Sequence, residues 1–281
     1  MSGLGQSVAG DRADHAKRWG AGTCIDVGST MDLVGKVAFV TGGSGDIGRA
    51  IAQALAESGT DVAVSYVGEA GRAEAVVKAV RAAGRQGHAV HLDQRDPKSI
   101  DQCVEKVIAH FGRIDILVNN AAWNIGIPFA ELEALTPEIW DRVLETNLRG
   151  PFLLSRAFAA GLRQHKTGRI INIASLAGLA PGGSSIAYAA SKAALIHLTH
   201  CLAVALAPDV SVNCIAPGLV EGTRMAERLP EAVKQTARTQ SVLERTGSAE
   251  DIARMTVAYC RSDSVTGQTV VVDGGNPMGM R

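Results

Sequence analysis

The 281-residue sequence has no excess of charge of either sign and few cysteines, and we find no internal repeat in it. Lysine plus arginine equals aspartate plus glutamate at 28 each, so no overall field attracts nucleic acid or an anionic membrane surface. Its five cysteines are odd in number and lack the close pairing of a metal site. We therefore expect reduced thiols, no bound metal, and neither nucleic acid nor a membrane as partner.

Two further absences concern the location of the protein. No apolar run approaches the roughly 20 residues of a membrane-spanning helix, and the N-terminus lacks the apolar core of a secretion signal. The sequence thus predicts a cytoplasmic protein. Residues 1–30 are small, polar and charged without sustained periodicity, which predicts a flexible leader. An upstream start codon read in place of Met31 would produce the same pattern.

From Met31 onward, short apolar segments alternate with segments of helical periodicity. The predicted strands are 36–40, 62–66, 88–92, 114–118, 170–174, 210–214 and 269–272. The predicted helices begin near Ile47, Ala70, Pro97, Pro137, Ser185 and Ser248. Seven strands separated by helices indicate an α/β fold with a doubly wound parallel sheet and helices on both faces. Residues 31–281 are accordingly expected to form one domain with a sizeable core.

Three residues between 169 and 206 carry the main chemical argument. Ser175 follows a predicted strand, where open α/β sheets bind their ligands, and its hydroxyl can polarise a carbonyl oxygen. Tyr188 and Lys192 are four residues apart and share one helix face, so the ammonium is expected to lower the pKa of Tyr188. The trio predicts a proton donor or acceptor that faces one C–O group. For so short a pattern, an ordinary half-buried tyrosine, a solvated lysine and a loop serine form the alternative.

The turn after the first predicted strand, residues 41–48, reads TGGSGDIG. Glycine lets backbone amides approach a pyrophosphate, and the N-terminus of the following helix supplies positive potential. A simple tight turn remains the alternative for this motif alone. Asn119 and Asn120 form a second polar strand end. Asn147 lies within a predicted helix, where asparagine is unfavourable unless it makes a specific hydrogen bond.

In this order the motifs resemble the short-chain dehydrogenase/reductase family over roughly residues 33–275. The resemblance is to its single-domain branch, with the 3-oxoacyl-carrier-protein reductases and related alcohol dehydrogenases. The matching positions are 41–48, 119–122, Asn147, Ser175, Tyr188, Lys192, 217–218 and 272–275. The resemblance implies a Rossmann-type fold and hydride transfer between a nicotinamide dinucleotide and a secondary alcohol or its ketone.

The resemblance also implies a role for each matching residue. Ser175 would orient the substrate oxygen, Tyr188 would act as general acid or base, and Lys192 would lower the pKa of Tyr188 and bind the nicotinamide ribose. Asn147 would hold a water between Lys192 and solvent. Cofactor contacts are expected from Gly42, Ser44, Gly45, Asp46, Ile47, Gly48, Tyr66, Asp93, Asn119, Ala121, Tyr188, Lys192, Pro217, Gly218, Val220 and Thr223. Substrate contacts are expected from Trp123, Ser175, Leu176 and Tyr188.

The sequence departs from the family pattern at three places. Asp46 replaces the middle glycine of the glycine motif; we expect it to act as the N-cap of the next helix and to leave dinucleotide binding intact. Ala122 replaces the glycine that ends the second motif. Thr223 comes one residue later than the threonine that contacts the carboxamide in the family.

The choice of cofactor depends on the end of the second strand. NAD-dependent enzymes usually carry an acid there for the ribose 2′-hydroxyl, whereas this chain has Tyr66, which favours NADP. Neither Gly45 nor residues 66–68 supply the arginine that would bind a 2′-phosphate. Arg49 and Arg72 are candidates for that contact, or they are solvated helix charges. NAD therefore remains open.

The sequence says less about the substrate. Trp123 and Leu176 are expected in an apolar cleft, under a substrate lid formed by residues 221–245. Its basic residues, Arg224, Arg228, Lys234 and Arg238, would contact an acidic substrate or carrier protein, or form a solvated face. We expect an NAD(P)-dependent oxidoreductase that interconverts a secondary alcohol and a ketone. A 3-oxoacyl thioester reductase, a sugar or polyol dehydrogenase and a non-catalytic dinucleotide sensor remain as alternatives. The resemblance further implies a homodimer or homotetramer that pairs through the helices opening near Thr136 and Ser185.

Overall fold

A computed structural model describes residues 31–280, which are built on one seven-stranded sheet. The strands are β1 (Val37–Val40), β2 (Asp61–Tyr66), β3 (Gly87–His91), β4 (Ile116–Asn119), β5 (Gly168–Ile173), β6 (Val210–Pro217) and β7 (Thr269–Val272). Their order is β3-β2-β1-β4-β5-β6-β7, and every neighbouring pair is parallel. After β3 the chain returns to the far side of β1, so the sheet is wound in two directions. The predicted doubly wound α/β sheet is confirmed.

Helices cover both faces of this sheet, as predicted. They are α1 (Asp46–Glu57), α2 (Gly71–Ala82), α3 (Pro97–Phe111), α4 (Pro137–Leu144), α5 (Gly150–Arg163), α6 (Ile186–Leu206), α7 (Arg224–Glu227), α8 (Glu231–Gln240) and α9 (Ala249–Arg261). The core has two main layers because successive strand residues point to opposite faces. In β4, Ile116 and Val118 pack with α1, α2 and α9, whereas Leu117 packs with α3, α5 and α6.

The predicted helix starts are set by local caps. Asp96 accepts a hydrogen bond from the Lys98 backbone at the start of α3 (3.0 Å), and Ser185 accepts one from Tyr188 at the start of α6 (3.2 Å). Ser248 forms the expected capping box at α9. Most element ends differ from the predictions by one or two residues. The largest difference is β6, which runs three residues beyond its predicted end, to Pro217.

The predicted long helix from Thr136 is not a regular α-helix throughout. A π-helical turn, Glu145–Arg149, separates α4 from α5, and Asn147 lies within it. Such turns are frequent at functional sites because they change the direction of a side chain. Asn147 is fully buried in consequence, with its amide directed into the interior.

One expectation about membranes was wrong. By length and composition α6 could cross a membrane, since it has 21 residues and a mean hydropathy of 1.4. In the fold this helix packs against β6, and its own polar residues Ser191 and Lys192 are buried. Its apolar composition is therefore that of a core helix. The predicted leader, residues 1–30, lies outside the described residues.

Candidate active site

The glycine-rich turn between β1 and α1 has the geometry of a cradle for a ligand backbone. Gly42 adopts φ +60°, and a Cβ added at Gly48 would lie 2.4 Å from the Gly42 carbonyl oxygen. The turn is fixed by hydrogen bonds from outside it. The Gly42 backbone donates to Ser65 Oγ (2.9 Å), and Asn120 Nδ2 donates to the carbonyls of Thr41 (2.9 Å) and Gly42 (3.2 Å). Only glycine fits at these close approaches.

The N-terminus of α1 is not capped by a side chain. Gly45 is the N-cap residue, so the predicted N-cap role of Asp46 was wrong. The Asp46 carboxylate instead accepts a hydrogen bond from the Arg224 backbone (2.9 Å) and lies 3.4 Å from Arg224 Nε. The N–H groups of the first helical turn therefore keep no side-chain partner, which fits an anionic group such as a pyrophosphate.

Three other predicted cofactor residues already have partners. Tyr66 ends β2 with its ring edge-on to His91, 5.8 Å between centres. Arg95 binds both oxygens of Asp93 (3.1 and 2.7 Å), and this contact keeps the pKa of Asp93 below its usual value. The Asn119 Nδ2 donates to Asn172 (2.9 Å) inside the sheet, while the buried Oδ1 of Asn119 has no partner among residues 31–280.

The segment after β6 connects the sheet to the proposed lid. Pro217 is the last residue of β6, and the Gly218 backbone donates to the Val272 carbonyl (3.0 Å). Val220 pairs with Gly247 in an isolated parallel bridge. Thr223 caps α7 and donates to the Val220 carbonyl (2.7 Å), so its hydroxyl is bonded within the lid.

Ser175, Tyr188 and Lys192 do come together at the carboxyl end of the sheet. Ser175 follows β5; its Oγ accepts a hydrogen bond from the Ala177 backbone (3.2 Å), and its hydroxyl acts to lower the pKa of the neighbouring Tyr188 phenol. Lys192 is 2% exposed; its ammonium donates to the Ile173 carbonyl (2.8 Å) and lies 5.7 Å from the centre of the Tyr188 ring. The C-terminal end of β5 and the first turns of α6 thus present a serine hydroxyl, a phenol and an ammonium group side by side.

Burial dominates the ionisation of this trio. It raises the pKa of Tyr188, against the opposing effect of the Ser175 side chain. The net pKa of Tyr188 is therefore above its ordinary value, and a lowering of that pKa by Lys192 stays a prediction. Burial also lowers the pKa of Lys192 to about 8. Near neutral pH the phenol keeps its proton, so it can donate a proton to a developing alkoxide.

Asn147 holds the backbone beside this trio. Its amide accepts a hydrogen bond from the Trp123 backbone N–H (2.8 Å) and donates to the Trp123 carbonyl (2.9 Å). It also donates to Ser191 Oγ (3.1 Å), which in turn donates to the Tyr188 carbonyl (2.7 Å). The π-helical turn, the end of β4 and α6 are joined through these bonds.

The predicted substrate residues lie around the same edge. The guanidinium of Arg142 stacks 4.2 Å from the centre of the Trp123 ring. Leu176 begins a 3₁₀ turn directly after Ser175. Asn124 contacts the Met225 sulfur (3.6 Å), so the segment after β4 touches the lid.

Sequence reasoning missed two residues that support the site. They are Ser191 and Gln94, whose amide donates to the carbonyls of Ala121 (3.1 Å) and Thr146 (2.6 Å). No motif identifies them, because each acts through contacts between segments distant in the chain. Among residues 31–280 we find no cluster of three histidine, cysteine or acidic side chains that could hold a metal.

A model of the short chain dehydrogenase family matches residues 36–234. The chain belongs to the short-chain dehydrogenase family. It is 39% identical over 246 residues to the 3-oxoacyl-[acyl-carrier-protein] reductase FabG of Staphylococcus aureus, covering 85% of this chain and 97% of that protein. With FabG of Escherichia coli it shares 39% identity over 250 residues, 87% of this chain and 98% of that one.

Solved structures of short-chain dehydrogenases agree with this assignment. NAD⁺-bound xylitol dehydrogenase matches with a TM-score of 0.82 at 30% identity, covering 87% of this chain and all of that one. A short chain dehydrogenase from Burkholderia cenocepacia in complex with NADP matches with a TM-score of 0.81 at 36% identity, over 88% of this chain and 100% of that one. This short-chain dehydrogenase is an NAD(P)-dependent oxidoreductase that interconverts an alcohol and a carbonyl group.

Proposed function

We propose that the enzyme reduces a ketone to a secondary alcohol, with NADPH as its preferred cofactor. The observation behind the direction is that burial raises the pKa of the Tyr188 phenol beside Ser175, so at neutral pH the phenol holds a proton that it can donate. The FabG relatives, which are reductases, support the same direction. A bound reduced nicotinamide supplies the hydride for the carbonyl carbon. Ser175 would orient the carbonyl oxygen, and Tyr188 would give that oxygen its proton.

Lys192 and Asn147 would support this proton transfer. The hydrogen bond to Ile173 fixes the Lys192 ammonium, which would bind the ribose hydroxyls of the cofactor. Asn147 would hold the water that links Lys192 to solvent, while its side-chain bonds keep the Trp123 segment and α6 in register. The N-terminus of α1 and the glycine cradle would receive the pyrophosphate.

The preference for NADP is supported by charge between α1 and α2. A cavity of about 440 Å³ lies between these helices, and its lining includes Ser44, Asp46, Arg49 and Arg72. Strand β2 ends at Tyr66 without an acid for a ribose 2′-hydroxyl. The two arginines would bind the 2′-phosphate. Dissociation constants for NADPH and NADH check this: Arg72→Ala should reduce the preference for NADPH about tenfold, in line with a charge-assisted contact. A parent protein that binds NADH more tightly would contradict the proposal.

The experiment that tests the function is NADPH oxidation with a panel of ketones, sugars and 3-oxoacyl thioesters. Tyr188→Phe should lower the rate by about 10² to 10⁴-fold, as expected for a general acid, and raise the NADPH dissociation constant by no more than about fivefold, because it removes one hydroxyl contact. Tyr259→Phe is the matched control, because Tyr259 lies in the core on α9. If the parent binds NADPH but reduces no carbonyl, the result would favour the non-catalytic dinucleotide sensor. If Tyr188→Phe is as active as the parent, Tyr188 is not the general acid.

A 3-oxoacyl thioester is the leading candidate substrate, because relatives that match nearly their whole length are 3-oxoacyl-[acyl-carrier-protein] reductases. Docking of a carrier protein on the basic lid residues has less support. Lys234 pairs with Glu231 (3.2 Å), and Arg238 pairs with Glu221 and Glu231. A polyol is the second candidate, since xylitol dehydrogenase has the same fold. Rates with acetoacetyl thioester and with xylulose would distinguish the two.

We also propose a cytoplasmic homodimer or homotetramer. An open groove of about 590 Å³ lies between α4, α5 and α6, where Leu148, Leu198 and the 41% exposed Phe152 form an apolar lining. A second copy of the chain would cover this face. Light scattering that shows a monomer would contradict it.

The cysteines within residues 31–280 are all free thiols, which supports a reducing compartment; cell fractionation tests that location.

A further inference from the structure

Asp46 connects the glycine-rich turn to the proposed lid, 178 residues away in the chain. Its carboxylate accepts a hydrogen bond from the Arg224 backbone N–H at 2.9 Å, and the guanidinium Nε of the same residue lies at 3.4 Å. Arg224 is the first residue of α7, a short helix whose Thr223 cap and Ala226 are buried. The carboxylate therefore binds both the backbone and the charge of the lid's first helix.

A carboxylate at this position opposes dinucleotide binding. Asp46 is the first residue of α1, and the N-terminus of a helix is where an anionic ligand is favoured. The carboxylate would repel a pyrophosphate at the same helix end unless a cation neutralises it. Three arginines line the adjoining cavity, namely Arg49, Arg72 and Arg224, and of these only Arg224 forms an ion pair with Asp46 among residues 31–280.

We propose that Arg224 is a positioning residue for the cofactor: it neutralises Asp46 and fixes the start of the lid to the pyrophosphate turn. The inference rests on the proposed placement of the dinucleotide at the N-terminus of α1. Removal of Arg224 alone leaves an unpaired carboxylate beside the phosphates. Removal of both the Asp46 and the Arg224 charges removes the repulsion of the pyrophosphate and also the cation that neutralises it.

Coupling between the two segments follows from the same contact. If the position of the lid affects cofactor affinity through Asp46, the cofactor must stabilise that lid position to the same extent. NADPH should therefore slow amide hydrogen exchange in α7, and this protection should weaken when Arg224 is replaced. A purely structural surface ion pair would contribute little to stability and would give no such link.

The test is a double-mutant cycle on NADPH affinity, read from the fluorescence of the bound dinucleotide. Arg224→Ala should raise the dissociation constant about tenfold, equivalent to one unpaired charge near the phosphates, and Asp46→Gly combined with Arg224→Ala should return it to within about twofold of the parent. Arg224→Gln and Asp46→Asn repeat the cycle with side chains of similar size. Arg228→Ala is the matched control, since Arg228 is an exposed arginine of the same lid. Thermal unfolding of each variant verifies folding.

Two results would overturn this inference without contradicting the proposed cofactor site. In the first, Arg224→Ala binds NADPH like the parent; in the second, the double variant binds NADPH as weakly as Arg224→Ala. Gly48→Ala distinguishes this failure from a failure of the proposed site. A Cβ there enters the cradle, so an unchanged dissociation constant for Gly48→Ala would mean that the dinucleotide lies elsewhere. If Gly48→Ala weakens binding while the cycle shows no coupling, the cofactor site stands and the role of Arg224 does not.

Discussion

The candidate catalytic edge and helix α8 of the proposed lid are held in place differently. At the catalytic edge, Asn147 and Lys192 are buried and hydrogen-bonded to backbone groups of neighbouring elements. Helix α8 has no buried residue, and its main side-chain contacts are ion pairs, chiefly between Arg238 and Glu221. Only the residues after it, from Ser241 to Leu243, are hydrogen-bonded to the segment that follows β7. Buried hydrogen bonds are little affected by salt, whereas exposed ion pairs are screened by it.

This difference separates chemistry from substrate choice. Groups that transfer a proton need a fixed geometry, which a packed strand and helix provide. A segment that admits and releases substrate needs low local stability, which few buried contacts provide. The following variants test the separation. Those at the site trio and the glycine-rich turn should act on kcat or on cofactor binding, whereas Arg238→Gln on α8 should act on the KM for the carbonyl substrate.

Lys192→Met should give the largest effect. Loss of the ammonium should lower kcat/KM by about 10² to 10³-fold, because an oriented charge is removed from the site. The free energy of unfolding of Lys192→Met should instead be higher than that of the parent. Burial lowers the pKa of Lys192 from 10.5 to about 8, so between these values the unfolded chain binds more protons than the folded one.

Lys192 therefore destabilises the folded enzyme below pH 8, and this penalty disappears as the pH rises to 10.5. Lys192→Met should therefore be more stable than the parent at pH 7. The difference between their free energies of unfolding should decrease by up to about 3 kcal/mol as the pH is raised to 10.5. Lys78→Met, at an exposed position on α2, should show no such trend. A pH-independent difference would mean that Lys192 is not perturbed by burial.

Gly48→Ala tests whether the glycine-rich turn between β1 and α1 binds the cofactor. The added Cβ would lie 2.4 Å from the Gly42 carbonyl oxygen, and the backbone would have to move. We expect NADPH binding to weaken by about 30-fold, from 2 kcal/mol of overpacking. Gly71→Ala, at the start of α2, meets no atom within 4 Å and should bind like the parent. Isothermal titration measures both, and equal affinities would contradict the cradle.

Ser191→Ala tests whether the catalytic edge depends on its supporting bonds. The variant removes the partner of the Asn147 amide and the bond to the Tyr188 carbonyl. A loss of about 1 kcal/mol predicts a kcat some fivefold lower, with the NADPH dissociation constant unchanged. Thr256→Val removes another buried hydroxyl, bonded to the Ile252 carbonyl on α9, and should leave kcat unaltered. A change in NADPH affinity with Ser191→Ala would indicate a wider rearrangement.

Arg238→Gln should give the smallest effect. A large effect would contradict the difference between the catalytic edge and the proposed lid. Arg238 donates to Glu221 (2.8 Å at Nε), a contact that lowers the pKa of that carboxyl. We expect KM to rise about threefold, kcat to stay within about twofold, and the free energy of unfolding to change by less than about 1 kcal/mol. Salt titration of the parent should reproduce the rise in KM. Arg254→Gln, in an exposed pair on α9, is the control; a large loss of kcat in Arg238→Gln would place the lid within the catalytic unit.

Local patterns made much of this fold predictable. The caps at Asp96, Ser185 and Ser248 act within three residues of themselves, so a short stretch of sequence contains both partners. Strand and helix order follows from periodicity for the same reason. The site trio was also predictable, since Tyr188 and Lys192 share a helix and Ser175 marks the end of a strand.

What could not be predicted involves partners far apart in the chain or the extent of burial. Asp46 has the local signature of an N-cap, but its carboxylate is bound by Arg224. Tyr188 and Lys192 have the spacing that should favour a phenolate, but burial raises the pKa of the tyrosine. The π-helical turn at Asn147 was not predicted either; the sequence indicated a specific hydrogen bond of Asn147, but not that its partners would be Trp123 and Ser191.

The sequence by itself determined the order of strands and helices, the caps and the identity of the reacting groups, because these depend on residues within a few positions of one another. Tertiary structure decided the charge states and the connections between segments. Solvent exclusion sets the proton affinity of Lys192, and a contact across 178 residues sets the environment of Asp46. Both follow from how the chain packs, since desolvation and electrostatic attraction depend on distance in space.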